Sequence, residues 1–325
     1  TMTYLENSKQ YTGSDLENIF FRPMLTGESA QDLGVRVLYN MPQPTHVQLW
    51  DGQRNILQKF TSAGWAGGKA ATKYEKTVNL NRVKAELGFS AANYFSMVYE
   101  KVSSLVNTHM DDLSGTELEQ AETALFKQAL AENIRVTMWI GDTSAASGYN
   151  TFDGLLKRIN GLVDDDGVYN FSYQAAALED PAYAVELFDK LWAGADPRIP
   201  GLKADDRLAY FVSSDIYRLY EKYLDAKGAD AAYADAMNGR RTLAYHGIPV
   251  VDVRLGSYLG ATSFRQSFVM LTDRRNLVLA VNTADMPGNE VRMWYNPDEM
   301  ENRQRAVFMA GTQILDEALI SFAYK

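Results

Sequence analysis

Three consecutive aspartates followed by a glycine, at residues 164–167, form a group of potential cation ligands. A calcium-binding loop of the EF-hand type needs oxygen ligands at alternate positions and a glutamate at its end. Val168, Asn170 and Ser172 do not supply that pattern. We therefore interpret residues 164–167 as an ordinary acidic turn.

A second candidate site lies in the glycine-rich stretch TSAGWAGGKAATK, residues 61–73. Gly64, Gly67 and Gly68 stand just before Lys69. Glycine-rich loops cradle phosphate groups when glycine and lysine occur in the order GxxxxGK[ST]. That order is absent here, so we predict the flexible tip of a loop rather than a phosphate site.

Histidine and serine, which often carry catalysis, show no catalytic spacing. His46, His109 and His246 are the only histidines, and they lie too far apart for a motif such as HExxH. No GxSxG motif occurs, and Ser213-Ser214 lacks the flanking glycines of a nucleophile elbow. The sequence predicts no catalytic, cofactor-binding or metal-binding residue, and it predicts that the protein is not an enzyme.

The composition predicts a folded protein of two domains or subdomains, with 325 residues of which 46% are hydrophobic. The net charge of −9 argues against broad non-specific binding to nucleic acid, because phosphate contacts need clustered lysine and arginine. The absence of cysteine excludes disulfides and thiol nucleophiles. No apolar run approaches the roughly 20 residues of a membrane span, and the start TMTYLENSKQ lacks a secretory pattern. We therefore expect synthesis in the cytoplasm and no membrane partner.

A long helix predicted at residues 114–134 organises the rest of the chain. Ser114 and Glu117 have the spacing of a capping box at its start. Asp111 and Asp112 come just before it, where carboxylates suit the positive end of the helix dipole. The charged residues take most of the helix surface, and five apolar residues form one narrow stripe: Leu118, Ala121, Leu125, Ala129 and Leu130.

A long hairpin is predicted before this helix. Residues 55–60 and 74–87 look like two extended arms, and the glycine-rich stretch lies between them. The returning arm has only Val78, Leu80 and Val83 as clear apolar positions. Because isolated two-stranded hairpins are marginal in water, we expect this hairpin to lie on a neighbouring molecule.

The remaining segments predict an alternation of short helices and strands. Residues 134–140 alternate in hydrophobicity, which predicts a strand directly after the long helix, and the small residues at 143–150 mark a candidate subdomain boundary. The other predicted elements are an extended arm at 1–13, helices at 15–21 (ended by Pro23), 90–106, 180–192 and 215–224, and strands at 35–39, 46–50, 210–212, 247–251, 268–271, 276–281, 290–295 and 305–309.

Four stretches, taken with this order of elements, resemble one protein family. They are FDGLLKRI (152–159), DDRLAYFVSSDIYRLYEKYL (205–224), YHGIPVVDV (245–253) and NRQRAVFMAGTQILDEALISFAYK (302–325). The chain is similar to a tailed-bacteriophage major capsid protein of the Hong Kong 97 type. The resemblance covers nearly the whole chain through diffuse motifs.

The resemblance implies an α+β fold of four parts. These are an N-terminal arm and lead-in at 1–44, an extended loop hairpin at 45–86, a peripheral domain at 87–150 and 280–325 with a spine helix at 114–134, and an axial domain at 151–279. It also implies self-assembly into hexamers and pentamers of an icosahedral head that encloses double-stranded DNA. The protein would be made in the bacterial cytoplasm and reside in the virion. Its partners would be itself, portal and scaffold proteins, and packaged DNA held non-specifically, with no cofactor.

Two family features are not specified by the residues. Some members have a long N-terminal scaffolding region, whereas this sequence has a short arm, so we expect either a separate scaffold or a segment removed before Thr1. Some members join a loop lysine to an asparagine covalently. Lys69, Lys73 and Lys76 lie on the hairpin and Asn296 lies in WYNPDE, but no motif specifies a bond.

Two other functions remain open from the sequence. An encapsulin-like nanocompartment has the same fold and encloses a protein instead of DNA. A soluble α+β enzyme would place residues 164–166 and His246 around a cleft.

Overall fold

The computed structural model describes residues 9–25, 35–40, 45–50, 73–90, 117–228, 243–256, 258–259, 266–282, 289–299 and 301–325. The helices of these segments are α1 (Gly13–Asp15), α2 (Arg22–Leu25), α3 (Glu117–Ile140), α4 (Leu155–Asn160), α5 (Tyr183–Gly194), α6 (Ile199–Lys203) and α7 (Ser214–Ala226). A π-helical segment, Leu16–Phe21, joins α1 to α2, and 3₁₀ turns occur at Ala175–Glu179, Arg274–Asn276 and Glu317–Leu319.

The described strands build two six-stranded sheets and one two-stranded sheet. They are β1 (Lys9–Tyr11), β2 (Arg36–Tyr39), β3 (Thr45–Trp50), β4 (Lys73–Val78), β5 (Asn81–Ser90), β6 (Tyr169–Ser172), β7 (Leu208–Val212), β8 (Leu243–Tyr245), β9 (Ile248–Asp252), β10 (Phe268–Asp273), β11 (Leu277–Asn282), β12 (Glu290–Asn296), β13 (Glu301–Ile314) and β14 (Ser321–Tyr324). The α+β class predicted from the sequence is confirmed.

The first sheet is centred on β13, which pairs antiparallel with β12, β11 and β5. β1 covers the outer edge of β12 and β2 covers that of β11. Alternate residues from 302 to 310 are buried, as the two-residue period of a strand requires. The predicted strand at 305–309 is therefore too short, because the inward positions before it are the polar residues Asn302 and Gln304.

The second sheet has the strand order β6-β14-β10-β7-β9-β8. β7 and β10 are buried at every position, which is typical of strands with both faces covered. One face contributes Phe211 and Met270 to the core shared with α3. The other face contributes Tyr210 and Leu271 to a second core, to which α5 and α7 also belong. The predictions of β7, β9, β10, α5 and α7 are confirmed to within a few residues, whereas β6, β8 and β14 were not predicted.

The predicted strand at 134–140 is wrong, because α3 continues to Ile140. All seven of these residues are buried, so this end of the helix is enclosed on every side. A helix buried all round has no polar face, and its three-to-four-residue periodicity is lost. The polar residues that produced the apparent alternation, Arg135 and Thr137, are themselves buried.

The predicted stripe of α3 is displaced by one residue. Phe126 is 1% exposed and Leu130 is buried, whereas Leu125 is only partly buried. Glu122 is 1% exposed, so the prediction that the charged residues take the outer faces is wrong at that position. Among the α3 residues whose burial is described, Gln120, Ala124, Gln128 and Asn133 are exposed, and the charged Lys127 and Glu132 are partly exposed.

The N-terminal segment packs on its own chain from residue 9 onwards. Phe20 lies against Phe126 with ring centroids 6.1 Å apart, and Phe21 lies against Phe308 at 5.0 Å. Both phenylalanines are fully buried. The described N-terminal segment, residues 9–25, therefore packs against α3 and the first sheet, with β1 paired to β12.

The prediction that Pro23 ends a helix is also wrong. The backbone stays helical without a break from Gly13 to Leu25, so the helix continues past Pro23. Pro23 therefore lies within the helical run, where it removes one backbone N–H donor.

We expect Phe126→Ala to lower the free energy of unfolding by about 3–5 kcal/mol, because it empties a buried aromatic site between α3 and the first sheet. Leu125→Ala is the matched control, and its cost should be about 1 kcal/mol since Leu125 is partly exposed. Urea unfolding followed by tryptophan fluorescence measures both values. Equal losses in the two variants would contradict this placement of the helix.

Candidate assembly site: the hairpin base and the junction of the two sheets

The residues that suggested chemistry in the sequence do not converge. Residues 164–166 lie in an exposed turn, where the Asp165 carboxylate accepts the N–H of Gly167 at 2.8 Å. His246 lies in the turn between β8 and β9 with a φ of 47°, and its ring lies edge-on to that of Tyr245. In the part of the chain described, no three histidine, aspartate or glutamate residues are grouped to hold a metal ion.

The serine pair fastens a strand to a helix. Ser213 Oγ accepts the N–H of Phe268 at 3.1 Å and also bonds to Asp215. Ser214 Oγ donates to Asp252 at 2.8 Å. Both hydroxyl groups therefore hold the start of α7 against the second sheet.

Several predicted features lie outside the described residues. They are the loop glycines with Lys69, His109, Asp111, Asp112, the arm at 55–60 and most of the helix at 90–106. His46 lies in β3. No described helix is both long and apolar enough to cross a membrane.

The described base of the hairpin is the antiparallel pair β3 and β4, with Thr45 opposite Val78 and Trp50 opposite Lys73. Its apolar side chains do not face water. Val47, Val78 and Leu80 are buried in a small core of their own. The first sheet and its following loop supply the rest of that core, which includes Val278, Ala280 and Leu315.

Three contacts fix the point at which β4 meets β13. Gln313 Nε2 donates to the carbonyl oxygen of Thr77 at 2.9 Å. A β-carbon at Gly311 would lie 2.2 Å from the carbonyl oxygen of Asn79, so only glycine allows this close approach. Lys76 Nζ lies 2.7 Å from Glu317 Oε1, although both side chains are more than a third exposed and the pair stabilises little.

The returning arm divides at Asn79 and Leu80. The predicted arm at 74–87 is wrong as a single extended piece, because β5 leaves the hairpin and pairs with β13 along its whole length. β5 therefore forms its backbone hydrogen bonds with a strand of its own chain. The hairpin proper ends at Val78.

A buried arginine joins α3 to the second sheet. Arg135 Nη1 donates to the carbonyl oxygen of Val253 at 2.7 Å, and Nη2 lies 2.7 Å from Glu132 Oε1. Tyr258 donates to the same carboxylate at 3.0 Å. The hydrogen bond from Arg135, helped by that from Tyr258, lowers the pKa of Glu132 below its usual value, and bonding to Glu132 raises the pKa of Tyr258.

The small-residue stretch after α3 is a folded turn. The amide of Gly154 donates to the carbonyl oxygen of Gly141 at 2.7 Å. A β-carbon at Gly141 would lie 2.2 Å from the carbonyl oxygen of Phe152. Lys157 bridges the two ends of the turn, with Nζ 2.8 Å from Asp142 and 2.7 Å from Asp153. The predicted boundary at 143–150 thus stays a prediction for domain division, but the segment is held by specific contacts.

The charge on Asp142 is stabilised by this arrangement. Hydrogen bonds from Lys157 and Ser144 lower the pKa of Asp142 to about 2. The two carboxylates, Asp142 first, raise the pKa of Lys157.

Solved structures give the decisive comparison. A chain of the satellite phage P4 procapsid, solved with its size determination (Sid) protein, superposes with a TM-score of 0.57 over 93% of this chain and 96% of that chain, at 10% sequence identity. This chain has a phage capsid protein fold. No protein-family model and no curated protein matches the sequence.

Further solved structures superpose less closely. A capsid chain of a native GTA particle gives a TM-score of 0.48 at 14% identity, over 91% of this chain and 89% of that chain. The holo-SrpI encapsulin complex from Synechococcus elongatus PCC 7942 gives 0.44 at 9% identity, over 88% and 84%.

Sequence reasoning about the capsid fold missed the contacts that hold its parts together. The role of Gly311 could have been recognised from the sequence, because a lone glycine within a strand pattern marks a close approach of another backbone. Nothing in the sequence indicates the contacts of Arg135, because its carbonyl partners lie more than a hundred positions away.

We expect Asp142→Asn to lower stability near neutral pH and to make little difference in acid. The pKa of Asp142 is about 2 in the folded protein, below the unfolded value of about 3.9, so its contribution is present above pH 3.9 and is lost as the pH falls through about 2. A partly exposed pair of this kind contributes about 1 kcal/mol. Urea unfolding of both proteins between about pH 5 and pH 2 tests this. A difference that stayed constant over that range would contradict the role of the Asp142 charge.

Proposed function

We propose that this chain is a major capsid protein that assembles into the hexamers and pentamers of an icosahedral phage head around double-stranded DNA. The observation that carries the proposal is the likeness to the P4 procapsid chain across nearly the full length of both chains. We propose the same four parts as the resemblance implies: 1–44, 45–86, 87–150 with 280–325, and 151–279. α3 would then be the spine helix.

The hairpin supports assembly because its base is anchored and its apolar residues are few. β3 and β4 are held against the first sheet at one end. The residues beyond β3 and before β4 are mostly small or polar, and Ile56, Leu57, Phe60 and Trp65 are the large apolar side chains among them, too few for a two-stranded hairpin to bury on its own. A neighbouring subunit supplies that burial, so subunit stability and assembly depend on each other.

The charge of the chain suits a container for DNA. A net charge of −9 disfavours tight binding of phosphates to the shell, so the packaged DNA is held non-specifically. Portal and scaffold proteins complete the proposed set of partners, and the virion is the proposed location after synthesis in the host cytoplasm.

We expect the expressed protein to form closed shells or rings of five and six subunits in negative-stain electron microscopy, because the proposed function requires self-assembly. Particles isolated from a phage infection should in addition protect double-stranded DNA from nuclease. Monodisperse monomers under all assembly conditions would contradict the proposal.

The contents of the particles separate the capsid from an encapsulin-like shell, which would hold a protein cargo. A control measures duplex DNA binding to the free subunit at low salt, where electrostatic binding is strongest. Tight binding there would contradict the proposed role of the negative charge.

A further inference from the structure

Pro23 leaves a backbone carbonyl group of the N-terminal segment without its usual donor. In an α-helix, the carbonyl oxygen of Ile19 would accept the N–H of residue 23, four positions later. Pro23 has no N–H, and a proline ring also collides with the carbonyl group four positions before it. A helical run that contains Pro23 must therefore move the Ile19 carbonyl aside, where water or a side chain can bind it.

The winding of the helical run changes just before Pro23. Leu16–Phe21 is π-helical, and the N–H of Arg22 donates to the carbonyl oxygen of Glu17, five positions earlier. π-helical turns are rare, and they frequently occur at functional sites. Because the chain rises less per turn of backbone hydrogen bonds, this winding gives the proline ring room beside the Ile19 carbonyl.

A lysine of α3 binds the displaced carbonyl. Lys127 Nζ donates to the carbonyl oxygen of Ile19 at 2.8 Å. The same ammonium group lies 4.9 Å from the centroid of the Phe20 ring, within the range of a cation–π contact. Partial burial lowers the pKa of Lys127 below its usual value. One side chain of α3 therefore contacts both the backbone and a buried ring of the N-terminal segment.

The π-helical turn is fastened separately to the residue after β2. Glu17 is 9% exposed, and Arg22 Nε donates to its carboxylate at 2.7 Å. Asn40 Nδ2 donates to the other carboxylate oxygen. These contacts hold Glu17 without involving α3, whereas Lys127 provides a polar link to α3.

We propose that Pro23 and Lys127 form a latch that keeps residues 13–25 docked on α3. Pro23 makes the Ile19 carbonyl available, and Lys127 binds it. When this hydrogen bond breaks, the segment can open locally while the two sheets stay folded. The latch is a conformational device within one chain, and it does not depend on the proposed capsid function.

Hydrogen exchange of the free subunit measures the opening of this segment. In the unaltered protein, the amide of Arg22 should exchange faster than the amides of β10, as a local opening requires. Equal free energies of exchange for Arg22 and β10 would overturn the proposal.

Substitutions of the lysine test its hydrogen bond. Lys127→Met should speed the exchange of the Arg22 amide about tenfold, because it removes a charged donor. Lys127→Arg keeps a cationic donor and should restore most of the protection. Gln128→Met is the matched control, since Gln128 is the exposed neighbour on α3, and it should have little effect. An unchanged rate in Lys127→Met would overturn the proposal.

A substitution of the proline tests whether it creates the acceptor. Pro23→Ala supplies the missing N–H, which can donate to the Ile19 carbonyl in place of Lys127. The new amide at position 23 should therefore be protected from exchange. In this background, Lys127→Met should speed the exchange of the Arg22 amide by about twofold at most, because the two substitutions act on one carbonyl group. An equal effect of Lys127→Met in both backgrounds, or an unprotected amide at position 23, would overturn the latch.

Discussion

The burial of the last turns of α3 between the two sheets is the interaction on which the rest of the structure depends. Trp139 is fully buried, and its ring lies 5.7 Å from that of Phe211 and 6.1 Å from that of Phe268 in the second sheet. Earlier in the same helix, Phe126 belongs to the core beneath the first sheet. One helix therefore packs against both sheets. Arg135 adds a hydrogen bond from α3 to the carbonyl oxygen of Val253, which this arrangement brings within reach.

That packing gives the base of the hairpin and the first sheet a fixed platform. The first sheet contacts the hairpin base on one face and α3 on the other. The hairpin base is therefore fixed relative to the core that contains α3. β13 makes two contacts with this part of the chain. It pairs with β5, and at Gly311 and Gln313 it contacts the backbone that leads out of the hairpin.

The sequence predicts the parts of this structure whose pattern is local. The continuous apolar runs of β7, β10 and β11 and the amphipathic α7 were predicted correctly because each carries its own period. The end of α3 was assigned to a strand because a helix enclosed on all sides loses its polar face. The displacement of its stripe from Leu125 to Phe126 has a different cause, which is that Glu122 is buried where a charged residue is expected outside.

The candidate site was less predictable, because its contacts join distant residues. β5 and β13 are separated by more than two hundred residues in the sequence. The returning arm was predicted as one extended piece because nothing in its sequence shows where pairing with β3 ends and pairing with β13 begins. The absence of a catalytic constellation stays a prediction. The residues whose contacts hold the parts together, such as Arg135 and Gly311, became visible only in the fold.

Hydrogen exchange of the free subunit tests most directly whether α3 joins the two sheets into one folding unit. Amides in β13, in β10 and at the end of α3 should exchange only through global opening, with one common free energy. If the amides of β10 exchanged through a separate opening several kcal/mol less costly than that of β13, the two sheets would be independent and the account would be contradicted.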